Sequence, residues 1–201
     1  MVATINVFSP YQVLTHPFTL KPRDRKPPAL GPTVPVAAAH LNPATNESAL
    51  QAAVNGAGLR TRGKDGLLAH DTTRSNMWLG AWTTNLSIEF ELAEPAALET
   101  IQVWNYNADW QTASGIGKAD ISVSADGTTW QTVLRGAAFG EAEGTEDYDE
   151  PTVLNLGGAM ARKVRFENIV PLSAGGEVGL SEVVFHKAGL PAEPSQPQSG
   201  K

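Results

Sequence analysis

Leu86-Ser87-Ile88-Glu89-Phe90-Glu91-Leu92 alternates without a break. Leu86, Ile88, Phe90 and Leu92 fall on one face, the period of a half-buried strand. Ile101 and Val103, with Asn105 behind them, repeat the pattern. Ile121 and Val123 follow, then Ser124-Ala125-Asp126-Gly127 and the run Trp130 to Leu134. Two apolar runs joined through Asp-Gly predict a hairpin. Val164 and Phe166 alternate within 162–170, and Leu180, Val183 and Phe185 mark a last strand over Gly179–His186. One short helix is expected over Ser48–Val54, capped by Thr45 or Asn46 and ended by Asn55-Gly56. Seven or eight strands with one helical turn predict an all-β fold, an antiparallel sandwich.

Outside these strands the composition changes. Of 14 prolines, eight lie in residues 1–43 and three in 188–201. Lys21, Arg23, Arg25 and Lys26 against Asp24 give residues 1–40 a net charge of +3, which leaves −9 for the rest of a chain at −6. The expected division is a proline-rich arm over residues 1–35, a globular unit over 36–187 and a linker-like tail over 188–201. Within the arm, Ile5–Phe8 and Tyr11–Leu14 read as short strands, and Lys21 to Pro35 as extended.

A net negative body argues against nucleic acid. The chain has no cysteine, so disulfides, Cys-ligated metals and thiol catalysis are excluded. No apolar run is long enough for a membrane helix, and no membrane insertion is expected. Met1–Asn6 has neither a basic n-region nor an apolar h-region, so no secretory signal is predicted. The expected location is extracellular or the surface of a virion-like particle. Four scattered histidines, with no His-Glu-x-x-His and no Gly-x-Ser-x-Gly, give no support to an enzyme.

In chain order, Ala53-Val-Asn55-Gly56-Ala-Gly-Leu59, His70-Asp71, Asn76-Met-Trp78-Leu-Gly80, Ile101-Gln-Val-Trp104-Asn-Tyr-Asn107, Ser122-Val-Ser-Ala-Asp126-Gly127-Thr-Thr-Trp130, Ala161-Arg-Lys-Val-Arg165 and Gly179-Leu-Ser-Glu182-Val form a series. The series resembles the discoidin family, the coagulation-factor type C domains, which include the family 32 carbohydrate-binding modules. The resemblance implies the galactose-binding-like jelly-roll β-sandwich. It places Trp78 and Trp130 at core positions and a proline-containing turn at Glu94-Pro95.

It also implies a structural calcium ion. Asn55 stands where the family has a ligating aspartate, Glu182 matches its ligating glutamate, and Asp71 with the carbonyls of Ala52 and Gly58 would complete a shell of hard oxygens. The other reading of Glu182 is a carboxylate paired with a backbone donor and no metal. Asn55 is neutral, so the site would hold its ion weakly.

A sugar ring needs an aromatic plane beside polar groups. Trp110 and Trp82 are the expected exposed aromatics, with Asn105, Asn107, His70 and Arg74 around them. Ser114–Lys118 contains no arginine, a departure from the family's galactose mode. The acidic run Glu141, Glu143, Glu146, Asp147, Asp149, Glu150 reads as a solvated loop or a receiver for Lys21–Lys26 of a neighbouring copy. Together these features predict a non-catalytic carbohydrate-binding module for a glycan or polysaccharide, displayed on a larger assembly. The alternative is a structural or decoration subunit of a virion or phage-like particle. In both, residues 1–35 contact other subunits.

Overall fold

The structure is a computed structural model and describes residues 2–9, 12–19, 30–44, 47–62 and 66–188. Lys21–Lys26, the cap expected at Thr45 or Asn46 and the tail from 189 lie outside the described residues.

The strands are β1 (Val2–Ser9), β2 (Gln12–Thr19), β3 (Thr33–Val34), β4 (Val36–Asn42), β5 (Leu59–Arg62), β6 (Leu67–His70), β7 (Trp78–Ala81), β8 (Ser87–Asn105), β9 (Ile116–Ser124), β10 (Gln131–Ala138), β11 (Thr152–Pro171) and β12 (Glu177–Lys187). All ladders between named strands are antiparallel. The expected helix is one α-turn, Glu47–Leu50, continued as a 3-10 turn over Gln51–Val54.

β8 and β11 build the sandwich because each serves both layers. The first half of β8 pairs with β4 and with the second half of β11, which also pairs with β9, and β10 closes that edge. The second half of β8 pairs with the first half of β11 and with β12, which also carries β3 and β7. Phe90 and Ile101 are 11 positions apart on β8, about 36 Å if the strand were straight. Yet the ring of Phe90 lies 5.5 Å from that of Phe185, which pairs with Ile101. The sheet therefore folds over on itself, and exposed Ala93-Glu94-Pro95 forms the bend. The turn expected at Glu94-Pro95 is thus a bend inside one continuous strand.

Leu86, Ile88, Phe90 and Leu92 are all buried, as their alternation requires. They meet Val164, Phe166, Ile121 and Val123 from the same layer and Ile101, Val103 and Phe185 from the other. Gln102, Trp104, Glu182 and His186, at the alternate positions of β8 and β12, are buried too. Trp104 packs with Leu59, Ala142, Tyr148 and Val184, so the outer face of this layer is covered by β5 and the 141–150 loop.

Trp78 is fully buried, as expected. Trp130 is not: it is half-buried, with the Arg165 guanidinium 3.7 Å from its ring centroid. It follows a turn held by Asp126, whose carboxylate accepts from the amides of Thr128 and Thr129 and the hydroxyls of Ser124 and Thr129. That turn places residue 130 at the rim of the sandwich rather than between its layers. These donors hold the Asp126 carboxyl well below the usual carboxylate range.

Candidate functional site

Two buried asparagines shape the loop between β8 and β9. Asn105 donates through Nδ2 to the carbonyls of Ile116 and Gly140, 2.8 Å each, and accepts from the Ile116 amide at 2.8 Å. Asn107 donates to the carbonyls of His70 (3.2 Å), Asp71 (3.0 Å) and Thr145 (2.8 Å), and accepts from the Gly144 amide at 2.8 Å. Both are wholly inaccessible. An unpaired buried amide is costly, and every polar atom of these two side chains has a backbone partner. They are therefore corrected from ligand contacts to ties between loops. Gly115 is needed beside Asn105, because a Cβ there would lie 2.5 Å from Asn105 Oδ1.

Trp110 sits at the tip of this loop and is 86% exposed. Its φ is +51°, a conformation that costs a bulky L-residue roughly 1–2 kcal/mol. The Arg74 guanidinium lies 5.5 Å from its ring centroid. Thus Trp110 and Arg74, distant in sequence, share one surface. Gln111 donates to Glu177 Oε2 at 3.1 Å, and Thr112 donates to Glu141 at 2.7 Å. Tyr106 is buried near Arg74 and Glu177, and burial pushes its phenol up. Gln111 and Glu177 were not expected at the site; Glu177 follows the turn Gly175-Gly176 and carries no sequence signal of its own.

The other expected contacts lie elsewhere. Trp82 packs against the main core and its indole N–H donates to Ile169 O at 2.9 Å. That apolar packing fixes the ring away from a free stacking position. His70 is fully buried, so it too is corrected from ligand contact to scaffold. Its Nδ1 lies 2.8 Å from Asp71 O and its Nε2 has no partner. Burial lowers its pKa, so the ring is neutral and Nδ1–H donates.

At the expected metal locus, buried Glu182 accepts from the Gly56 amide at 2.9 Å. Asn55 Oδ1 accepts from Ala57 N at 2.8 Å, and Gly58 O from Asp71 N at 3.1 Å. Asp71 turns its oxygens to Thr73 N and Asn76 Nδ2, 3.0 Å each. The structure thus gathers Glu182, the Ala52–Gly58 turn and the Asp71 backbone, while the Asp71 carboxylate serves its own loop. Among the described residues no group of three His, Cys, Asp or Glu side chains is placed to hold a metal ion.

Burial pushes the Glu182 carboxyl up from 4.5 to about 8. The raised value favours the protonated form in the folded state. Its stabilisation is complete below pH 4.5 and is lost as pH rises through 8. In chelator, the unfolding free energy is expected to fall over that window. Glu182→Gln should remove this slope in urea titrations; an unchanged slope would show that the carboxyl is already ionised.

The acidic run finds partners in its own chain. Arg60 pairs with Glu146 and Asp147, and Arg62 with Asp149 at 2.7 Å. Glu146 also accepts from the Thr72 hydroxyl. These contacts dock the 141–150 loop on β5.

Residues 68–166 match the F5/F8 type C family model described as a NedA-like, galactose-binding domain. No curated protein matches the chain. Among solved structures, the family 32 module of AlyQ in complex with 4,5-unsaturated mannuronic acid aligns with a TM-score of 0.53, 15% identity, 78% of this chain and 98% of the other. A pectin-binding carbohydrate-binding module aligns with a TM-score of 0.50, 16% identity, 79% of this chain and 96% of the other. The family 32 module of Clostridium perfringens NanJ, in complex with galactose, aligns at 0.49, with 14% identity, 75% of this chain and 93% of the other. At such identities the alignments above 0.5 establish the fold. The sandwich has the galactose-binding-like fold, and the chain is similar to the coagulation-factor type C domains and to the family 32 carbohydrate-binding modules.

Proposed function

We propose that the chain is a non-catalytic carbohydrate-binding module whose sugar lies against Trp110. The observation that carries this reading is the exposed indole, held at positive φ with Arg74 beside its ring. A large apolar face kept in water, on a strained backbone, is what a stacking platform needs and what a folding core avoids. Arg74, Gln111 and Glu177 supply the polar fringe that hydroxyls require. On the same fold, one module is in complex with 4,5-unsaturated mannuronic acid and another is named as pectin-binding. The test is an array of glycans probed with multivalently displayed protein, so that weak single sites add up. Binding competed by soluble related sugars supports the reading. A blank array from folded protein overturns it and favours a structural or decoration subunit.

The expected arm over residues 1–35 is shortened, because Thr33–Val34 pairs with β12 and Val34 is buried in the sandwich core; for display, residues 1–30 are the proposed attachment to other subunits of an extracellular or particle-surface assembly. Among the described strands, β1 and β2 pair only with each other. A two-stranded hairpin is marginal alone, so a partner would complete it.

Calcium belongs to the same proposal. Glu182 would be its one charged ligand, with oxygens of Ala52, Asn55 and Gly58 from the adjoining turn; Asp71 is left out. A buried carboxyl pushed up by desolvation fits a cation, which would return it to the charged form and hold the turn. Millimolar calcium is expected to raise the melting temperature by several degrees over chelator, and Glu182→Gln to abolish the difference. Equal melting in calcium and chelator would remove the ion from the proposal.

A further inference from the structure

The end of the sandwich opposite Trp110 carries a second aromatic surface. Trp110 precedes β9 and Trp130 follows it, and the nine residues of β9 span about 30 Å. Beside Trp130 lies a groove of ≈ 480 Å³, within the range of small-ligand sites. Trp130, Gln131 and Val133 form one wall. The other comes from β11, where Gly157 and Gly158 adopt φ of +60° and +77° and the ladder to β8 shifts register between Asn155 and Ala159. That bulge turns buried Leu156 and half-exposed Met160 toward the groove.

One face of the ring is covered. Arg165 covers it at 3.7 Å and is itself paired with Glu89 at 3.2 Å and Glu167 at 3.8 Å. Asp126 is the one charged residue in the lining, and its oxygens are occupied by four donors of its own turn. The groove thus offers an aromatic surface, apolar walls, exposed Gln131 and one carboxylate, Asp126, whose acceptors are engaged by its own turn and whose negative charge disfavours an anionic sugar. An uncharged pyranose, with apolar C–H faces and hydroxyl edges, matches that lining better than an ion does.

We propose that this groove is a second, independent sugar site, selective for uncharged hexopyranosides, which makes the domain bivalent. It shares the recognition chemistry of the Trp110 reading but does not depend on that site. The test is NMR titration of the intact chain with the methyl glycosides of glucose, galactose and mannose, read at the two indole N–H resonances. At least one glycoside should move the Trp130 resonance in the wild type and equally in Trp110→Ala. Met160→Arg should weaken that response at least tenfold, with Gln131→Ala as a milder second variant. Glucuronate should bind there at least tenfold more weakly than glucoside. A Trp130 resonance unmoved by all three glycosides, or one that responds only when Trp110 is intact, would overturn the proposal. Failure of the Trp110 site appears separately, as an unmoved Trp110 resonance.

Discussion

Trp110→Ala is expected to weaken glycan binding at least 30-fold while leaving the protein folded. The indole is 86% exposed, so truncation removes a stacking face and little else. Thirtyfold is about 2 kcal/mol, the scale of a stacked ring on a sugar face. The strained backbone supplies an internal control. Trp110→Gly should lose binding equally and yet raise unfolding free energy by about 1 kcal/mol, because glycine adopts φ near +51° without penalty. Arrays and chemical denaturation of the three proteins decide the matter. Binding retained in both variants would remove Trp110 from the site, and a large loss of stability would make it a packing residue.

The largest stability effect is expected at Asn107. Asn107→Ala takes the side-chain partner from the His70 and Thr145 carbonyls and the Gly144 amide, while Asp71 O keeps the His70 Nδ1–H. Loop movement would let water reach some of them, so the expected cost is about 3 kcal/mol rather than the full sum. For a chain of this size that lowers the melting temperature by roughly 6–12 °C. Amide exchange at Gly144 should accelerate far more than exchange in β9, because the loop opens before the sheet does. A melting temperature within 2 °C of wild type would mean that the loops hold without this tie. Glycan affinity should fall as well, since Asn107 lies three residues before Trp110 and fixes where its loop starts.

These predictions draw on features of unequal visibility in the sequence. Strict alternation from Leu86 to Leu92 exposes a one-sided strand, and burial follows it residue by residue. β3, β5, β6 and β7 are two to four residues long, too short for any period to register. The continuity of β8 is hidden by Pro95, which resembles a turn signal and lies instead at a bend between layers. Trp110 and Arg74 could be named from their residue types; that they meet depends on loops brought together through space. Asn105, Asn107 and His70 illustrate the converse. A polar side chain in an aromatic stretch looks the same in sequence whether it faces a ligand or a backbone carbonyl, and here all three face backbone. The Arg60 and Arg62 pairs with the acidic loop are equally invisible, being more than 80 positions apart along the chain.

All four partners of the Asn107 side chain are main-chain atoms, the carbonyls of His70, Asp71 and Thr145 and the amide of Gly144. A tie of this kind reads the path of the neighbouring loops and ignores which side chains they carry. The rim around Trp110 can therefore be re-lettered, position by position, without redrawing its outline. For anyone seeking to direct the domain toward a chosen saccharide, one internal amide keeps the frame while the surface is rewritten.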